Sequence, residues 1–300
     1  MTFSIVATDR SAQEVGFAIA SCCWDAGQVC MAKAEVGAIA SQAHGNLAFL
    51  PAFFDRLSAG DDPDAILAGF RANDDEIAQR QIGMITQAGA PVAFTGERCA
   101  TWAGHVTGDD FACQGNTLVG SEVIDAMAEA FDRSNGALYE RLCAALRAGD
   151  DAGGDVRGKQ SARLLVAKRG FGQPGTDTFL DVRIEDHAEP VREIGRILGV
   201  GGTLLHIFGL LEQFEGAVQT DKPEILDRLH AYLDDKRDRR YLDWWESLGL
   251  AYHGIGRPDQ AVAAFGVYLS INPAMADVLR DGAAKGVFPR DLAGALGLAD

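Results

Sequence analysis

Positive charge is scarce in this 300-residue sequence. It has 27 Lys and Arg against 43 Asp and Glu, a net charge of −16. A nucleic-acid-binding protein needs a basic footprint to displace counterions from phosphates, so no nucleic acid is expected as a partner. An anionic membrane surface is disfavoured for the same reason. Paired cysteine motifs are absent too. The six Cys (Cys22, Cys23, Cys30, Cys99, Cys113 and Cys143) form no CxxC, and most lie in apolar surroundings. They read as free thiols in a reducing compartment. No HxxxH or His–carboxylate spacing marks a metal site, so neither metal nor cofactor is expected. No Gly-rich phosphate loop or GxSxG elbow occurs. The first residues alternate where a signal peptide would run apolar. The longest apolar stretch, "VGGTLLHIFGLL", reads as too short and interrupted to span a bilayer. A cytoplasmic protein is expected.

What the sequence does have is Gly, 35 residues of it, and strict alternation near its start. "TFSIVAT" places Phe3, Ile5 and Ala7 on one face, and "VGFAIAS" repeats the pattern. "EVGAIASQ" predicts a third strand, followed by a helix over "AFLPAFFDRLSAG". A second helix starts at Pro63, a residue suited to a first helical turn. "QIGMITQAG", "APVAFTGE" and "FACQGN" predict further strands, with a hairpin turn at 88–91. Ser121 is placed to cap "EVIDAMAEAF", and "GALYERLCAALRAG" predicts a helix ending at Gly149. "QSARLLVAK" and "FLDVRIEDH" close the strand set. Paired helices between antiparallel-looking strands imply α+β layering rather than alternating βαβ units.

Beyond His187 the pattern turns helical. Trp245, Leu248, Gly249 and Tyr252 match W-x2-LG-x2-Y, Ala261 and Phe265 match A-x3-F, and Pro273 closes the unit. This stretch resembles one tetratricopeptide repeat, a helical hairpin that buries its face only against neighbours. Residues 224–236 and 274–296 are expected to supply them. The expected division is 1–220 and 221–300, with the tail docking a protein partner or a second copy.

"TFSIVA", "SQAHGN", "GHVTGDDFACQGN" and "GGDVRGKQSARLLV" together are similar to the domain-of-unknown-function 1028 family, over residues 1 to about 190. That family resembles the N-terminal-nucleophile (Ntn) hydrolases. The resemblance implies a four-layer αββα sandwich with a small all-α C-terminal domain. It implies, more loosely, hydrolysis of a small amide, peptide or lactam. Thr2 would be the nucleophile once Met1 is removed, its own α-amine taking the hydroxyl proton. Lys33 would supply a cation, and the amides of His44 and Gly45 an oxyanion hole. Where proteasome-type members carry an Asp after the second strand, this sequence has Cys22 and Cys23, with Asp25 further on. Internal cleavage before Thr176 or Thr203 is the other route, although both read as ordinary turns. The alternative is that Thr2 is a plain strand residue, a position where Thr is common.

Several polar turns are candidates for one pocket. Gln42 and Asn46 flank one turn, and Gln114 and Asn116 end another strand. Asp155, Arg157, Gln160 and Ser161 lie on a Gly-rich loop where Arg157 either clamps a ligand carboxylate or pairs with Asp155. The second reading is a catalytically silent protein holding a small amide-containing or carboxylate-bearing ligand.

Overall fold

A computed structural model describes residues 2–173 and 175–298, with the side chains of Leu205 and Glu212 left out. Two compact units divide at Leu198/Gly199. The first is mixed α+β with two antiparallel sheets. Six strands form one sheet in the order β10-β9-β2-β1-β8-β7. They are β1 (Thr2–Asp9), β2 (Glu14–Ser21), β7 (Gly104–Thr107), β8 (Phe111–Asn116), β9 (Ser161–Ala167) and β10 (Thr178–Ile184). The other sheet runs β3 (Cys30–Lys33), β4 (Gly37–Ala43), β5 (Arg80–Thr86), β6 (Gly89–Thr95).

Alternation sets the faces of both sheets. Val15, Phe17 and Ile19 of β2 point toward the other sheet and meet Ala38 and Ala40 of β4 and Ile85 of β5 in one apolar cluster. The opposite face of β4 and β5 (Ile39, Ile82, Met84) packs against α1 (Phe49–Ser58) and α2 (Pro63–Asn73) through Phe49, Phe53, Ile66 and Phe70. Phe49 and Phe70 stack with ring centroids 4.1 Å apart, which staples the two helices together. Pro63 does occupy the first turn of α2, and Asp62 caps it through Ala65 N–H. On the outer face of the six-stranded sheet lie α3 (Glu122–Arg133) and α4 (Leu138–Asp151), whose buried stripes include Ile124, Met127, Leu142 and Leu146.

Four local expectations change. The strand β3 was not read from the sequence. Ser121 has helical backbone and makes no side-chain cap, so α3 starts without one. Gly149 does not stop α4; a Cβ there would lie 2.7 Å from Met127 Cγ, so glycine serves close packing and the helix runs on to Asp151. "GVGG" is not a turn either: α5 is one helix from Pro190 to Gly216, which puts Thr203 inside it. The unit boundary accordingly falls within α5 and not at 220/221. At 27 residues, α5 is long and apolar enough to cross a membrane by length and composition alone.

The second unit is all-helical: α6 (Lys222–Leu233), α7 (Leu242–Gly254), α8 (Pro258–Ile271), α9 (Met275–Lys285) and α10 (Arg290–Ala295) follow α5. Trp245, Leu248, Tyr252, Ala261 and Phe265 are all fully buried in one cluster, joined by Leu226, Leu229, Leu279 and Leu292 from flanking helices. A Cβ on Gly249 would sit 2.5 Å from the Phe265 ring, so α7 and α8 meet face to ring at this point.

Candidate functional site

The apolar layer between the sheets turns polar at one end. Antiparallel register lines up Ser21 with Ser161, and Thr2 with Asn116, along the end of the six-stranded sheet. The next pair on the same face of β1 and β8 is Ser4 and Gln114, and His105 follows on β7. Opposite, in the four-stranded sheet, Gln42, Gln81 and Thr95 stand in one cross-strand row. Gln42, Gln81, Gln114 and Asn116 are each at most 2% exposed, so their amides must find partners within the protein.

Most find them in each other, while Gln114 Oε1 has no hydrogen-bond partner among the described residues. Ser4 Oγ donates to Gln42 Oε1 at 2.7 Å and accepts from Gln114 Nε2 at 2.6 Å. Gln42 Nε2 reaches Gln81 Oε1 at 2.9 Å and the Thr2 carbonyl at 3.3 Å. Asn116 Nδ2 donates to the same Gln81 Oε1 at 2.9 Å and lies 3.5 Å from the Thr2 carbonyl. On its other side, Gln81 Nε2 donates to Gly115 O at 2.7 Å, Thr95 Oγ1 at 2.9 Å and Gly104 O at 3.1 Å. Two carbonyls facing one end of the amide fix its orientation, because an oxygen there would meet oxygens. Thr95 Oγ1 in turn lies 2.8 Å from His105 Nδ1. A chain of neutral side chains thus runs from the Thr2 carbonyl to His105. Gly83 is required beside it: a Cβ there would lie 2.0 Å from Gln114 Oε1.

The Thr2 hydroxyl faces the other way along its row. It donates to Ser21 Oγ at 3.2 Å, and Cys23 Sγ lies 3.3 Å from the same oxygen. Thr2 is 6% exposed. Beside this group sits the 153–161 loop. Asp155, with its carboxylate buried, accepts Cys22 N–H at 3.1 Å and Arg157 N–H at 2.9 Å, and holds the guanidinium through Nε at 3.2 Å and Nη2 at 2.9 Å. Desolvation opposes the Arg157 charge, yet the Asp155 bond and charge outweigh it and raise its pKa. The pair ties the loop to the end of β2. Ser161 Oγ donates to Cys23 O at 2.6 Å and accepts Ala26 N–H at 2.9 Å. The Gln160 side chain turns outward to Asp186 at 3.2 Å.

Other sequence-derived candidates lie elsewhere. Lys33 pairs with Gly37 at the end of β4 opposite to Gln42, and its ammonium sits 4.5 Å over the Phe54 ring on the helix side. It is therefore no partner for Thr2. The His44 N–H is spent on Gln79 O at 3.2 Å, which removes it as an oxyanion donor. The His44 carbonyl accepts from Arg80, whose Nη1 also lies 2.9 Å from the imidazole. Gly45 makes the tight turn, since a Cβ would lie 2.4 Å from Ser41 O. Asn46 points to Asp74 at 3.2 Å and caps Ala48 N–H at 3.1 Å, away from Thr2. The removal of Met1 falls outside the described residues. Among the described residues no group of three His, Cys, Asp or Glu could hold a metal ion.

Burial pushes the Cys113 thiol well above its usual pKa, and Cys30 and Cys143 move the same way, so these three are inert. Ser21, Cys23, Gln81, Thr95 and His105 were missed as members of this arrangement. Each looks like an ordinary strand-end residue, and only the cross-strand register unites them.

A comparison with curated proteins finds no match. Among solved structures, a crystal structure of a Silicibacter pomeroyi protein, itself described by the DUF1028 family model, is similar with a TM-score of 0.60. It is 28% identical, and the match covers 66% of this chain and 88% of that one. The family-model match takes in all ten described strands, both rows of the polar layer and the 153–161 loop. By its match over residues 2–194, the chain belongs to the family of unknown function DUF1028.

Proposed function

We propose that the first unit is an N-terminal-nucleophile hydrolase of a small amide, peptide or lactam, with its two sheets and flanking helix pairs as the αββα sandwich of that class. Thr2 is the nucleophile, exposed as the first residue when Met1 is removed. Its hydroxyl attacks the amide carbonyl and passes its proton to the Thr2 α-amine. The leaving amine takes that proton, and water then cleaves the Thr2 ester. Lys33 is out of reach of the Thr2 α-amine. What supports the reading is the placement of the Thr2 hydroxyl, 3.2 Å from Ser21 Oγ, at the polar end of an otherwise apolar inter-sheet layer.

The test uses untagged protein and an electrophilic β-lactone. Wild type should gain one acyl group mapped to the Thr2 peptide, and Thr2→Ala none. Amide turnover surviving in Thr2→Ala at the wild-type rate would sink the assignment. The position of Lys33 favours a second reading, a silent binder of a small amide or carboxylate ligand, which Thr2→Ala leaves intact. In either case the second unit acts as a tetratricopeptide-like docking or self-association element. The proposed location is the cytoplasm.

A further inference from the structure

Two cavities flank the end of β6, the edge strand of the four-stranded sheet. One, of about 570 Å³, is lined by Arg71 of α2, Phe94 and neighbouring small residues. The other, of about 510 Å³, is lined by Trp102 and His105 on and beside β7. Thr95 and Glu97 line both, so the two adjoin at the strand end. Thr2, Ser21 and Asp155 line neither.

The trough holds one cation and one carboxylate. Arg71 lies over the Phe94 ring, 5.1 Å from its centroid. Among the described residues it has no carboxylate partner, although the chain carries a net charge of −16. Glu97 likewise has no ion-pair partner among them. Two opposite charges therefore line one cavity without neutralising each other. A ring face under the guanidinium holds it in place while leaving its N–H fork to a ligand.

Ligand classes separate on this pattern. A polyphosphate would meet one cation and a repelling carboxylate. A divalent cation would find a single carboxylate, too few oxygens for either calcium or magnesium. A neutral sugar would leave both charges desolvated and unpaired. A zwitterion satisfies both. The volume falls in the range of small-molecule sites, roughly 300–1,000 Å³, which suits more than a single small amino acid.

We infer that the trough beside β6 binds the zwitterionic backbone of a short unblocked peptide or free amino acid, its carboxylate on Arg71 and its ammonium group on Glu97. This site stands apart from the reaction proposed at Thr2, and Thr2→Ala leaves it unchanged. The apolar wall of Phe94, with Trp102 in the adjoining cavity, receives the ligand side chains.

Isothermal titration of the full chain tests the inference with four probes: leucine, the tripeptide Leu-Leu-Leu, its N-acetyl form and its C-terminal amide. At least one unblocked probe should bind. Charge-assisted hydrogen bonds predict that Arg71→Met weakens it at least tenfold, as Glu97→Gln does. The amide-blocked tripeptide should bind weakly to wild type and lose nothing more in Arg71→Met; the acetylated one should behave the same way toward Glu97→Gln. Leucine binding as tightly as the tripeptide would identify the free amino acid as the ligand, and tighter tripeptide binding the peptide. Both positions are solvent-facing, and unchanged melting temperatures for the two variants confirm that the fold is retained. No heat with either unblocked probe, or binding indifferent to both substitutions and both blocking groups, would overturn it.

Discussion

Gln81→Glu is the sharpest probe of the polar layer, because it changes one atom type and no shape. The Gln81 side chain is fully buried, with Nε2 facing two backbone carbonyls and the Thr95 hydroxyl. A carboxylate oxygen in that place meets Gly115 O and Gly104 O without a proton between them. Protonation restores one donor, so the folded state keeps the introduced acid neutral, and its pKa rises toward the ~8–9 known for buried Glu. Even neutral, the variant loses about two hydrogen bonds, worth roughly 2 kcal/mol. Keeping the proton against an unfolded pKa near ~4.3 costs about 1 kcal/mol more at pH 5 and about 5 kcal/mol more at pH 8. The direction follows from the raised folded pKa: the deficit is small near the unfolded value and grows with pH until the folded pKa is passed. Urea denaturation monitored on the first unit should show the gap to wild type widening by about 4 kcal/mol between pH 5 and pH 8. Gln81→Leu, which cannot titrate, should show a pH-independent loss. A Gln81→Glu deficit that stays constant to within about 1 kcal/mol across that range would refute the orientation and burial assigned to this amide.

Phe265→Ala should destabilise the second unit by about 3–5 kcal/mol, read by its own thermal transition, because the ring fills the space over Gly249. Gly83→Ala should lower the melting temperature of the first unit although it adds only a methyl, since the Cβ meets Gln114 Oε1. Asp74 is held below its usual pKa chiefly by the Arg80 hydrogen bond, so it stabilises the fold above the ordinary Asp range. That contribution is lost as pH falls through the lowered value, and Asp74→Asn should flatten this part of an acid-denaturation curve. Iodoacetamide mass mapping of native protein should label Cys22 and Cys23 before Cys30 and Cys113, which are buried thiols with raised pKa values.

The first unit was readable where structure is local. Alternation located β1, β2, β4, β5, β8 and β9, and Pro63 marked α2. The site was readable only in part. Gln42 and Asn116 stood out at strand ends and lie at the Thr2 carbonyl, and Gln114 joins Gln42 through Ser4. Gln81 opens "QIGMIT" and passes for a polar residue ahead of an apolar run; its importance comes from pairing with Gln42 and Thr95, partners 39 and 14 residues away. Lys33 went wrong for one reason. Its place just before the predicted third strand already set it a strand's length from Gln42, and the structure pairs it with Gly37 at that start, its ammonium over Phe54. The glycines at 199–202 looked like a turn; a helix can absorb each at about 1 kcal/mol, and α5 does. Asp155 and Arg157 read from sequence either as a ligand clamp or as a structural pair, and in the structure they pair, Asp155 accepting four hydrogen bonds from Cys22 and Arg157.

The most direct test of the proposed chemistry is the intact mass of untagged protein before and after the β-lactone. The account predicts a chain beginning at Thr2 that gains one acyl group on that residue. A chain that keeps Met1 and takes up no acyl group, while still turning over an amide, would contradict it.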